Sequence, residues 1–212
     1  MTLVLVALSA RGENEVPVVF ELREGDHCQR DSFLVSTALV ADLRLKVGEC
    51  SRECFDAVAE ASERYRAVKK GLYLLGFGAC SRRMLCRKLT DKGFSRTIAE
   101  AAVDELSEMG YLDDGAGAFR EAEICVNKCW GRRRIAATLY QKGYSDASVR
   151  EALFRLEDNG VDFVELCACR IRQGSGVVPS TPDEKRKAMA SLERYGFTSG
   201  EIRDAFRRIA EE

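Results

Sequence analysis

Apolar residues along 81–110 fall at the spacing of two short helices. Leu85 and Leu89 lie one turn apart, and Ala99, Ala102, Val103 and Leu106 follow the i, i+3, i+4, i+7 pattern of a buried helix face. Gly93-Phe94 interrupts the two runs, and Gly110 ends the second. The pattern predicts a helix, a tight turn and a second helix, with Gly93 as a left-handed residue just past the first helix.

The pattern occurs three times. The second copy has Leu139, Gly143-Tyr144, then Val149, Ala152, Leu153 and Leu156; the third has Leu192, Gly196-Phe197, then Ile202, Ala205, Phe206 and Ile209. Measured from the turn glycines, these positions superpose without a gap, and Leu153 is expected to be buried as Leu106 is. The glycines are 50 and 53 residues apart. Helical repeats of such a period predict an array in which each unit buries its apolar face partly against its neighbour.

The remainder fits around these copies. Apolar, β-rich runs at 2–9 and 16–22 predict two strands, with turns at Gly12-Glu13-Asn14 and Glu24-Gly25-Asp26. Phe33–Leu43 is mixed and could hold a third strand ending near Leu45–Gly48. Ser51 is placed to cap a long helix reaching Leu75, with Ser62 as a mild break in its apolar face. Asp113-Asp114 supplies the cap of a helix running to Cys129, and a further helix is expected from about Val161 to Arg172. Gln173–Pro182 reads as a loop. It leads into Thr181-Pro182-Asp183-Glu184, a helix start with a threonine cap, proline in the first turn and a capping box. The expectation is a mainly α protein: a tandem array of three three-helix, helix-turn-helix-like repeats (49–110, 111–160, 161–212) behind a small N-terminal β segment (1–48).

Each copy begins its first helix with cations: Arg82-Arg83, Arg132-Arg133-Arg134 and Lys185-Arg186-Lys187. Lys88 and Lys92 add charge to the first copy. Cations at a helix N-terminus oppose the macrodipole by roughly 0.3–1 kcal/mol each. Helix stability therefore does not account for them, whereas a bound anion or acidic partner would. On this reasoning the middle cluster is the strongest contact candidate, and its removal should leave folding intact.

With 46% hydrophobic residues the chain can build a core, and with a net charge of −1 it is no polycation, so any anion-binding surface must come from local clustering. Nine cysteines without a Cys-x-x-Cys, and a single histidine, argue against a zinc site. Met1–Ala10 lacks the basic start and the long apolar run of a signal peptide, so a buried strand is expected there. The odd cysteine number then indicates reduced thiols in a cytoplasm. No later run reaches the ~18 apolar residues of a membrane span. No nucleophile–base pair, phosphate loop or metal cluster stands out, so neither catalysis nor a cofactor is expected. Tyr65, Tyr73 and Trp130 read as packing residues ahead of stacking platforms.

These residues together resemble the RecX family, regulators of the RecA recombinase. The resemblance rests on Leu89-x-x-Lys-Gly-Phe94, on Met109-Gly110-Tyr111-Leu112-Asp113-Asp114, and on Gly131-Arg132-Arg133-Arg134-Ile135 followed by Leu139-x-x-Lys-Gly-Tyr144. It covers roughly 67–156 well and the C-terminus more weakly. In two places the chain departs from the family pattern: Arg132 stands where a proline is frequent, and Gly117-Ala118 where an aromatic-alanine pair is usual. The resemblance implies a bacterial, cytoplasmic, monomeric, non-enzymatic protein. It would bind RecA filaments on DNA, restrain recombinase and coprotease activity in DNA repair and the SOS response, and touch single- or double-stranded DNA weakly, without sequence preference.

A helix-turn-helix transcriptional regulator is the alternative, since each copy has two helices about a glycine turn. Arg96, Arg150 and Arg203 lie near the starts of the second helices, where they suit phosphate contact as well as guanine reading.

Overall fold

The computed structural model describes residues 2–9, 15–24, 27–174, 179 and 181–211. The turns expected at 12–14 and 25–26, and residues 175–178 and 180 of the 173–182 loop, lie outside the described residues. The chain divides into two compact units, one of Met1–Gly78 with Leu85–Tyr111 and one of Ala79–Met84 with Leu112–Glu212.

In the first unit, strands β1 (Thr2–Leu8), β2 (Glu15–Glu24) and β3 (His27–Ser36), with the short β4 (Gly48–Glu49), form an antiparallel sheet of order β3-β2-β1-β4. The third strand thus starts earlier than Phe33. The apolar stretch after it is a short helix, α1 (Thr37–Asp42), because the Ser36 hydroxyl accepts from the Leu39 N–H and caps it. Alternation places Val16, Val18 and Phe20 of β2 on one buried face, under α2 (Arg52–Leu75). Phe20, Phe33 and Phe55 meet edge to face there, with centroids 5.1–5.9 Å apart. Ser51 caps α2 as expected. Ser62 is no break: it is buried and accepts from the Leu34 N–H at 3.1 Å, tying α2 to β3.

Helix α3 (Arg82–Thr90) buries Leu85 and Leu89, and α4 (Arg96–Glu108) buries Ala99, Ala102, Val103 and Leu106. Gly71 lets α2 approach α4 closely, since a Cβ there would stand 2.5 Å from Leu106 Cδ1.

The second unit holds α5 (Asp114–Val126), α6 (Arg132–Gln141), α7 (Asp146–Asp158), α8 (Phe163–Gln173), α9 (Pro182–Arg194) and α10 (Ser199–Ala210). Asp113 caps α5, which ends short of Cys129, itself left-handed at φ 50°. Asp162 caps α8, and Thr181 with Glu184 forms the capping box of α9. Ile135, Leu139, Val149, Ala152 and Leu156 are buried in one core, and Leu192, Phe197, Ile202 and Ala205 in the next. Leu153 is only half-buried. The position matching Leu106, thirteen residues past the turn glycine, is Leu156.

All three turns close alike. Gly93, Gly143 and Gly196 have φ of 94°, 85° and 93°. The N–H of the following aromatic residue reaches back to the carbonyl of Leu89, Leu139 or Leu192 at 3.1–3.3 Å, a Schellman closure. Ser95, Ser145 and Thr198 then cap the next helix at once.

Candidate partner-binding surface

In the second unit, the basic helix starts are docked against turns. At α3, the Ser81 hydroxyl donates to the Lys142 carbonyl at 2.6 Å and accepts from the Met84 N–H, while the Arg82 N–H donates to Asp114 Oδ1 at 2.9 Å. At α6, the Gly131 N–H donates to the Tyr195 carbonyl at 2.8 Å and the Arg133 N–H to that of Gly196 at 3.1 Å. The start of α9 is closed by its own capping box. The anion expected at these helix starts is therefore replaced by the chain's own acceptors. The helix-end argument no longer calls for a ligand there.

The side chains divide accordingly. Arg132 spans Glu157 and Glu201, both at 2.8 Å, and lies 4.6 Å from the Phe163 ring centroid. Glu201 also accepts from the Thr198 N–H, so Arg132 joins the start of α6 to the start of α10. Arg134 stacks between Trp130, at 4.0 Å, and Tyr195, at 5.2 Å. Trp130 is thus a packing residue, as the sequence suggested. Among the described residues the Arg83 and Arg133 side chains are exposed and have no ion-pair or hydrogen-bond partner, and Arg186 is exposed and pairs with the exposed Asp183 alone, at 3.3 Å. These three arginines each stand ten residues ahead of their turn glycine. Lys185 and Lys187 are exposed beside Arg186. In the first unit Lys88 is half-buried and Lys92 exposed.

The pairs around α8 and α10 are set by charge. Arg208 binds Asp162 at 2.8 Å and Glu165 at 3.1 Å, and Arg172 binds Glu165 at 2.6 Å. Arg208 holds the Asp162 carboxyl below its ordinary range; Arg172, then Arg208, does the same for Glu165. Burial pushes the Tyr144 hydroxyl up to about 12. The Tyr144 ring occupies the space a side chain on Gly117 would need, with its hydroxyl 3.0 Å from a Cβ placed there.

No family model matches the chain. It is 32% identical over 155 residues to the regulatory protein RecX of Chlorobaculum tepidum, an alignment covering 72% of this chain and 94% of the relative. The chain belongs to the RecX family. The RecX protein of Pelodictyon phaeoclathratiforme is 35% identical over 146 residues, covering 68% of this chain and 88% of its own. A crystal structure of a regulatory protein RecX superposes over the whole of both chains with a TM-score of 0.73 at 18% identity, so the fold is shared as well. The family is one of regulatory proteins, not enzymes. Among the described residues no helix is long and apolar enough to cross a membrane, and none group as a metal site.

Two basic features differ from the sequence reading. Arg96 and Arg150, considered for base reading, are tied to Glu100 and Asp146 one turn away, each at 2.7 Å. A second basic feature went unread: Arg66, Lys69 and Lys70 of α2 line a cleft of about 490 Å³ with Lys92, Leu34 and Phe94. Its signal was present, since Arg66, Lys70, Tyr73 and Phe77 follow helical spacing. The sequence reads Tyr73 as a packing residue, whereas the structure leaves it 58% exposed.

Proposed function

We propose that this RecX-family chain regulates the RecA recombinase by binding its filament on DNA, restraining recombinase and coprotease activity in repair and the SOS response. In this reading α2 to α10 act as three three-helix repeats (49–110, 111–160, 161–212) behind the 1–48 segment. The protein works as a cytoplasmic, bacterial monomer without a cofactor or membrane contact, and touches DNA weakly and without sequence preference. The docking of Ser81 on the Gly143 turn and of Gly131 on the Gly196 turn supports repeats joined in series. Glu184 occupies the third-copy position of Ser81 and Gly131, and α9 begins two residues ahead of it. A side chain of that size favours ending the series over continuing it into a second molecule.

The observation that carries the reading is the exposed arginine repeated at Arg83, Arg133 and Arg186. Regular spacing of cations suits a partner that is itself periodic and acidic. Within the basic clusters the contact falls to these three and to Lys185 and Lys187, with Lys88 and Lys92 in the first unit; Arg82, Arg132 and Arg134 sit at the docked helix starts and hold them in place. The test is association with RecA filaments on single-stranded DNA, alongside a strand-exchange assay. Combined Arg83→Ala, Arg133→Ala and Arg186→Ala changes should weaken association at least about tenfold, or ~1.4 kcal/mol. Unchanged binding and regulation would return these arginines to a solvated face.

A further inference from the structure

The turns at Gly143 and Gly196 are covered by the preceding copy's helix start, but the turn at Gly93 is not: a Cβ on Gly93 would meet nothing within 4 Å. The residue before each glycine shows the same contrast. Lys142 pairs with Glu121 at 2.7 Å, and Tyr195 is flanked by Arg134 and Arg170, whereas Lys92 is exposed and has no ion-pair partner among the described residues. The aromatic residue after the glycine is buried in Tyr144 and Phe197 but only half-buried in Phe94. What stands beside this open turn is the basic cleft of Arg66, Lys69, Lys70 and Lys92. Glu15 pairs with Lys69, but none of the six residues lining the cleft is acidic.

Lys70 connects the cleft to a second feature. Its Nζ lies 4.4 Å from the Tyr73 ring centroid, and Tyr73 meets Phe77 edge to face at 4.9 Å. Unlike the phenylalanines under the sheet, these two residues face water, at 58% and 75% exposure. A cationic cleft with exposed rings at its edge is the arrangement that holds a single strand: the cations follow the phosphates and the rings take unpaired bases. A duplex keeps its base faces stacked inside and gains only from the cations. An acidic peptide likewise engages the cations but has no planar groups for the rings.

We infer that the cleft of Arg66, Lys69, Lys70 and Lys92, together with Tyr73 and Phe77, binds single-stranded nucleic acid. This deepens the DNA-contacting part of the proposed function and rests on it only for biological purpose, because the contact needs no recombinase. The first unit would hold the strand while the repeated arginines of the second meet the filament protein.

The probe is a labelled oligo-deoxythymidine of about 20 nucleotides, longer than the roughly 4–16 nucleotides of a single strand-binding fold, read by fluorescence anisotropy on the whole chain. Arg66→Glu with Lys92→Glu should weaken binding at least tenfold and flatten its salt dependence. Tyr73→Ala with Phe77→Ala should weaken oligo-deoxythymidine binding several-fold and leave binding of a duplex of equal length unchanged. Melting curves check that each variant is folded; should the charge reversals unfold it, Arg66→Gln with Lys92→Gln gives the same reading. Wild-type protein that ignores the oligonucleotide, variants that bind it as wild type does, equal losses for single strand and duplex on changing Tyr73 and Phe77, or a poly-glutamate peptide that competes at equal charge concentration would each overturn the inference. Preformed filaments are assayed in parallel. Oligonucleotide binding that depends on these residues, without any filament association, would sink the RecA reading and leave this one standing.

Discussion

The backbones of Gly131 and Gly196 touch: a Cβ on Gly131 would stand 2.5 Å from the Gly196 carbonyl oxygen, and one on Gly196 2.5 Å from Arg134 Cβ. The α6 start can donate from its Gly131 and Arg133 N–H groups to the Tyr195 and Gly196 carbonyls only because neither glycine carries a side chain. Glycine is needed twice at this contact, for approach and for the left-handed turn.

This separates otherwise similar substitutions. Gly93→Ala should cost the strain of a left-handed alanine, about 1–2 kcal/mol. Gly196→Ala carries the same strain and adds overpacking, about 1–3 kcal/mol more. Gly131→Ala has ordinary backbone angles, with φ −76°, so its cost is overpacking alone. Urea melts should rank Gly196→Ala as the most damaging. Equal loss at positions 93 and 196 would mean the docking contributes nothing.

Much of the helical part could be read from periodicity, because one buried face per helix repeats every turn. Leu85, Leu89, Leu139 and Leu192 are buried where expected, and the turn glycines have the expected sign of φ. The stretch at Thr37–Asp42 is too short to show a period that tells helix from strand; the Ser36 cap makes it a helix, and Leu39 and Val40 pack against the sheet core. Leu153 misled because its helix turns it toward the edge of the core, leaving Leu156 to fill it. The candidate surface was less readable still. Ser81 bonds a residue 61 positions away and Arg132 one 69 away, and nothing local in a sequence announces such partners.

The cysteines should differ in reactivity in a way set by burial. Burial pushes the Cys167 thiol up to about 12, and desolvation raises Cys125 as well. Since the thiolate is the nucleophile, neither should react with a disulfide reagent at neutral pH while the fold holds. Cys28 is exposed and should react at once. Prompt labelling of Cys167 in native protein, read by mass spectrometry, would contradict the packing of α8.

Acid should loosen the second unit through α8 and α10. The native pKa values of Asp162 and Glu165 lie below the ordinary 3.8 and 4.5. Their pairing with Arg208 and Arg172 therefore stabilises fully above those ordinary values and is lost as pH falls through the lower native ones. Both carboxylates are about half exposed, so salt should reduce the effect. Asp162→Asn with Glu165→Gln should lower the melting temperature at pH 7 and flatten its fall toward acid. A double variant with the wild-type pH profile would show that the ion pairs carry no linkage.

Arg132 and Arg133 are neighbours in sequence with opposite expected roles. Arg132→Ala leaves Glu201, whose side chain is only 11% exposed, without its cationic partner and removes the cation stacked on Phe163. Losing a hydrogen bond to a charged group costs about 1.5–3 kcal/mol, so this variant should melt measurably earlier. The triple alanine change at 132–134 therefore should not leave folding intact, contrary to what the helix dipole alone suggests, since the dipole cost is outweighed by these internal partners. Arg133→Ala removes an exposed side chain without a partner among the described residues and should change stability by no more than about 0.5 kcal/mol. Filament association should respond in the opposite order: weaker for Arg133→Ala under conditions where both variants are folded, and near wild type for Arg132→Ala. Thermal melts paired with filament co-sedimentation make the comparison. If Arg132→Ala weakens association as much as Arg133→Ala while still folded, the division between docking and contacting arginines fails.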